Sequence, residues 1–179
     1  MRNLLLITVF SMLLFACTNE KPAEKKVQEA AATSPPQYEF ADPKYVEIGK
    51  QAFEALSKGN VDQWLGFFAD NAVYQWNNFD SLAGKAAIDE FWRKRRTEVV
   101  NNLVFSGHIF LPMKVNKPQA GEQAGNWLLT WCVVDVTYHN GNKMAQFMHI
   151  DYHFDANDKI DRVLQFLDNE PINKALAAN

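Results

Sequence analysis

Apolar residues fall into three regimes along this 179-residue chain. Residues 4–15 form an apolar run interrupted only by Thr8 and Ser11, residues 18–37 carry almost no large apolar side chain, and from Tyr38 onward regular periods set in. Tyr45, Ile48, Ala52, Phe53 and Leu56 keep helical spacing. Asp42-Pro43 ahead of them offers an N-cap and a first-turn proline, and Lys58-Gly59 closes the segment. A second helix is expected over residues 61–69, with Trp64, Leu65, Phe67 and Phe68 as core. A strand over 70–76, a loop over 77–84 and a third helix over 85–99 through Ile88, Phe91 and Trp92 follow. Beyond that every signal is β: residues 103–114, 126–138, 143–154 and 160–168. Asn140-Gly141 reads as a two-residue hairpin turn, and residues 118–125 as a looser loop. Helices first and an antiparallel meander afterwards make an α+β pattern, three N-terminal helices packed on a strongly curved, mostly antiparallel sheet.

The first apolar run bears on location. Met1-Arg2-Asn3 gives it a positive start, and its length suits a signal-peptide core, well short of the roughly 20 residues of a spanning helix. It ends Leu14-Phe15-Ala16-Cys17, which resembles a bacterial lipobox, with a bulky Phe15 where a smaller residue is commoner. Residues 1–17 are therefore expected to be a lipoprotein signal, with Cys17 the lipidated residue. That implies a cell-envelope protein held to a membrane by its lipid, at the outer membrane in a Gram-negative source. Residues 18–41, rich in Lys, Glu, Ala, Pro and Ser, are expected to be a disordered tether, and residues 42–179 the folded domain. Cys132, the other cysteine, sits in an apolar strand and reads as a small buried hydrophobe with no disulfide partner.

Net charge is −3 with no basic stripe, which argues against nucleic acid as a partner. The one basic cluster, Arg93-Lys94-Arg95-Arg96, reads as a solvated face near a helix C-terminus, where cations suit the helix dipole. No Gly-rich phosphate loop or nucleophile elbow is present, so no cofactor is expected.

Gly59-Asn60-Val61-Asp62, Phe67-Phe68-Ala69-Asp70-Asn71-Ala72-Val73-Tyr74, Gly84-Lys85-Ala86-Ala87-Ile88-Asp89-Glu90-Phe91, and the pair Tyr152–Asp155 and Asp158–Ile160 with terminal Asp168 occur in that order. Together they resemble the nuclear transport factor 2-like superfamily, close to its SnoaL-like and ketosteroid-isomerase-like branches, over about residues 42–172. The resemblance implies a cone-shaped barrel in which a bent sheet wraps the first helix and leaves a small-molecule pocket at its open end. It leaves activity open, because the fold hosts isomerases, cyclases, hydrolases and binders. Where SnoaL-like cyclases place an acid/base Asp, this chain aligns Gln165, whose amide cannot exchange a proton at neutral pH. Tyr45 is a possible hydroxyl donor, but no complete ketosteroid-isomerase set can be placed. Tyr74, Trp76 and Trp92 fall where the cone opens and are candidate pocket walls alongside Gln165.

The remaining candidate chemistry lies in Gln146–Asp168. With the turn at Asn140-Gly141 and Phe154 opposite Ile160, His149 neighbours Cys132 and Gln165, and Asp151 neighbours Thr130 and Val163. That face mixes apolar and polar groups as a ligand site does, so it is expected to line the pocket, leaving the opposite apolar face for a second copy in a homodimer. His149 and Asp151 are then the candidate catalytic or ligand-orienting pair. Strand geometry argues against a metal held by His149, Asp151 and His153, since it sets the outer two roughly 13 Å apart, against metal–ligand bonds of about 2 Å. Three functions remain: a binder of a small, largely apolar ligand without turnover, an acid/base isomerase, lyase or hydrolase using His149 and Asp151, and a structural or interaction module.

Overall fold

The computed structural model describes residues 34–177; the leading apolar run, Cys17 and most of the expected tether lie outside them. The folded unit begins at Pro35, ahead of the expected start at Asp42. The reason is a short strand, β1 (Tyr38–Phe40), that pairs antiparallel with Val115 to Met113 at the end of a long later strand. Helix α1 (Lys44–Ser57) follows, its first turn closed by the Asp42 carboxylate accepting from Lys44 N–H at 2.8 Å. Its buried stripe includes Tyr45, Ala52, Phe53 and Leu56, as the spacing predicts, with Gly49 buried beside them and the expected Ile48 only half-buried. Gly49 lets the helix lie directly on the sheet, since a Cβ there would sit 2.4 Å from the Leu128 side chain.

Helix α2 (Val61–Leu65) is capped by Asn60, whose side chain accepts from Gln63 N–H at 3.0 Å. It is shorter than expected because Phe68 already begins strand β2 (Phe68–Trp76). Part of the expected loop forms strand β3 (Ser81–Ala83), paired back on β2. Helix α3 (Lys85–Lys94) ends in a π-helical turn, Arg95–Val99, and leads into β4 (Val100–Val115). Strands β5 (Gly125–Tyr138), β6 (Lys143–Phe154) and β7 (Ile160–Phe166) complete the meander, and a helix the periodicity did not reveal, α4 (Asn169–Ala177), closes it. The seven strands run in the order β1-β4-β5-β6-β7-β2-β3, with β2 and β7 parallel and the other pairs antiparallel. Register shifts interrupt the β4–β5 pairing, one of them between Ser106 and Ile109, and bulges of this kind bend a strand.

Two single-residue departures from the expected register decide which side chains share a face. The β5–β6 turn holds three residues, His139 to Gly141, because Tyr138 N–H bonds Asn142 O at 2.8 Å and Gly141 takes a φ of 87°. Cys132 therefore faces Met148, where His149 was expected. Across the sheet, Phe154 does oppose Ile160, but a bulge follows and His153 pairs with Arg162. Gln165 then faces Ile150 and not His149. Side chains alternate with a period of two, so both slips turn β6 over relative to the expectation while leaving β5 and β7 in place. The inner face, toward α1 and α3, carries Thr130, Cys132, Val134, Met148, Ile150, Tyr152, Val163 and Gln165, all buried.

Candidate ligand-binding site

A cavity of about 530 Å³ is lined by the inner face of the sheet, by α3 and its π-helical turn, and by α4. Its walls are mainly apolar: Leu103 and Phe105 from β4, Val134 and Val136 from β5, Met144 and Met148 from β6, and Phe91, Trp92 and Ile172 from the helices. Such a volume and lining fall in the range of small-molecule sites, roughly 300–1,000 Å³.

Three of the four expected wall residues are there. Trp76, Trp92 and Gln165 all line the cavity. Tyr74 is buried behind Gln165 and donates its hydroxyl proton to Gln165 Oε1 at 2.7 Å. The Gln165 amide nitrogen lies against Met148 Sδ at 2.8 Å. The side chain is thus fixed at both ends, with only a weak sulfur acceptor for its N–H groups. Burial pushes the Tyr74 phenol far above its ordinary pKa, so it stays a neutral donor.

His149 and Asp151 stand on the opposite face. His149 Nε2 lies 2.8 Å from Asp151 Oδ1, and the imidazole packs between Trp131 and Phe166, with ring centroids 4.6 and 5.7 Å away. Burial raises the Asp151 carboxyl above its ordinary pKa against the pull of His149. The pair is real, but the sheet lies between it and the cavity, so it cannot touch a molecule held there. The shared face with Gln165 is corrected by the register of β6. His153 belongs to a separate cluster, its Nδ1 on Asp161 and its Nε2 against Ala124 O at 3.0 Å. Tyr45 is buried and engaged as well, donating to Asp158 at 2.7 Å and accepting from Asn126 at 2.8 Å.

The residue that sequence reasoning missed is Arg95. The basic cluster does not form one solvated face. Arg93 pairs with Asp62 and Asp89, Lys94 is exposed, Arg96 packs at Gly59, and Arg95 lines the cavity. A signal was present: Ile88, Phe91, Trp92 and Arg95 stand at i, i+3, i+4 and i+7, so Arg95 continues the buried stripe. The π-helical turn begins at that residue, and such turns recur at functional sites.

Helices laid over one face of a bent, mostly antiparallel sheet, with a cavity at one end, define a nuclear transport factor 2-like fold. A protein of that fold and of unknown function from Burkholderia pseudomallei superposes with a TM-score of 0.60 at 13% identity, covering 74% of this chain and 97% of that one. A proposed polyketide cyclase from Xanthomonas campestris gives 0.59 at 16% identity, covering 74% and 96%. An epoxide hydrolase from M. tuberculosis gives 0.53 at 14% identity, covering 73% and 87%. Residues 50–111 match the family model of the SnoaL-like domain. No curated protein matches the sequence.

Proposed function

We propose that the domain binds a small, largely apolar molecule in the cavity beneath α3 and α4, without turning it over. The cavity itself carries this reading: apolar walls, a fixed amide at Gln165 and a volume fit for a ligand of a few rings. Among the described residues its lining offers only two titratable side chains, Arg95 and the exposed Asp80. A second reading, acid/base catalysis, rests on Asp80, which lines the cavity and is held by Asn78 Nδ2 at 2.6 Å. Structural neighbours that include an epoxide hydrolase give that reading some support. A thermal-shift screen of hydrophobic metabolites tests binding, since a ligand of the folded state raises Tm with its concentration. A panel without a single concentration-dependent shift removes the proposal. Product appearing from a bound compound, and vanishing in Asp80→Asn, favours catalysis.

The proposal extends to the setting of the domain. The apolar run of residues 4–15 ending at Cys17 supports a lipid anchor in the cell envelope. Loss of membrane-fraction protein in Cys17→Ser is the expected result. The outer face supports a homodimer: Ile109, Trp131, His149 and Phe166 form one row across β4 to β7, and its three apolar members are 61%, 40% and 45% exposed. Exposed rows of this kind mark contact surfaces. Light scattering of the wild type at micromolar concentration should give twice the monomer mass, and Trp131→Asp should return it to one.

A further inference from the structure

Arg95 presents an uncompensated charge to an apolar chamber. Among the described residues no carboxylate lies within ion-pair distance of its guanidinium, whereas its neighbour Arg93 has two. Its ring contact is with Phe91, at 6.0 Å from the centroid, the outer limit of a cation–π attraction. The titratable groups that feel its charge are the neutral phenols of Tyr74 and Tyr138, and the Tyr138 hydroxyl is itself buried without a hydrogen-bond partner. The Trp92 indole N–H, in a side chain 93% buried that lines the same cavity, also lacks an acceptor. Guanidinium cannot shed its proton, and a desolvated cation without a counter-charge is costly. Among the described residues Arg95 is thus the one cation of the lining, and its one carboxylate, Asp80, is exposed and engaged by Asn78.

We infer that the ligand of this cavity carries a carboxylate on an apolar body, and that Arg95 receives it. This rests on the pocket reading above and narrows it. A planar carboxylate matches the two-pronged geometry of guanidinium, which an alcohol, ester or amide cannot do with equal strength. The apolar body fills the space among Phe91, Val134, Val136 and Met148. The Trp92 N–H is a further donor available to the ligand's oxygens.

The test uses the full-length chain and matched probes, 2-naphthoate against 2-naphthamide and decanoate against decanamide, with affinities measured by calorimetry. The expected result is at least tenfold tighter binding of each carboxylate, falling to within about twofold in Arg95→Gln. Arg95→Lys keeps the charge and loses the fork, so it should keep a reduced preference; it also serves as the folding control if Arg95→Gln melts early. Equal affinities for acid and amide in the wild type overturn the inference and leave the pocket reading standing. A preference that survives Arg95→Gln overturns it too. Failure of every probe to bind overturns both.

Discussion

The two faces of the sheet differ less in composition than in what their polar groups are for. On the outer face an acid and an imidazole find each other across one strand step and are shielded by Trp131 and Phe166. On the inner face an amide is locked by a buried phenol. Above it a guanidinium from the π-helical turn lines the cavity, with no carboxylate in ion-pair distance among the described residues. The titratable pair that draws the eye in the sequence is spent on itself, with His149 Nδ1 left buried without a partner and the sheet between it and the cavity. The group awaiting a partner sits in what reads as a charged helix end. Position at the cavity is therefore the better guide to a binding site here than titratable groups lying close together.

That contrast can be broken most sharply by truncation on either side of β6. Ile150 is 3% exposed and Phe147 85%. Ile150→Ala should cost about 2–5 kcal/mol in urea unfolding, whereas Phe147→Ala should stay within about 0.5 kcal/mol per protomer. Similar costs at both positions would mean that the faces are assigned wrongly. Tyr74→Phe comes next, because it strips the Gln165 carbonyl of its buried donor. A loss of about 1–3 kcal/mol is expected, and less than additive loss when combined with Gln165→Met, which removes the orphaned carbonyl. Additive losses would show that the two side chains do not act as a unit.

Asp151→Asn should have the smallest effect and the most telling pH dependence. Burial raises the carboxyl pKa in the folded state, so the native protein holds that proton to higher pH than the unfolded chain does. Between the two values the native state binds more protons, and stability falls as pH rises. Asp151→Asn should accordingly raise Tm at neutral pH, the gain disappearing as pH drops below the ordinary carboxylate value of 3.8. A Tm difference that grows toward acid would reverse the sign and place the carboxylate in a net-stabilising pair.

Most of the fold was legible because it follows from local periodicity: α1, the start of α3 and the four long strands stand where apolar spacing puts them. Strands β1 and β3 escaped because three residues are too few to show alternation. Helix α4 escaped because nine residues give only about two turns, too few for apolar spacing to declare a helix. The site was half legible. Of Tyr74, Trp76 and Trp92, expected where the family's cone opens, the two tryptophans line the cavity. Gln165, expected from alignment with the cyclases' Asp, lines it too, and β5 and β7 were assigned to the face that the cavity lies on. Only β6 was inverted, since a three-residue turn and a two-residue turn look alike around Asn140-Gly141, and a bulge after Ile160 leaves no mark in composition. Arg95 was hidden by its charged neighbours, although its spacing from Ile88 already placed it on the buried side.

The distribution of the indoles turns the molecule into its own optical reporter. Of five tryptophans, Trp76 and Trp92 border the chamber, Trp131 stands outside, and Trp64 and Trp127 are enclosed by protein. Guest entry should change the emission of the first two, while contact between copies should blue-shift the third. With Trp131→Phe silencing one channel and Trp76→Phe dimming the other, filling and pairing can be followed separately in a single cuvette without any added dye.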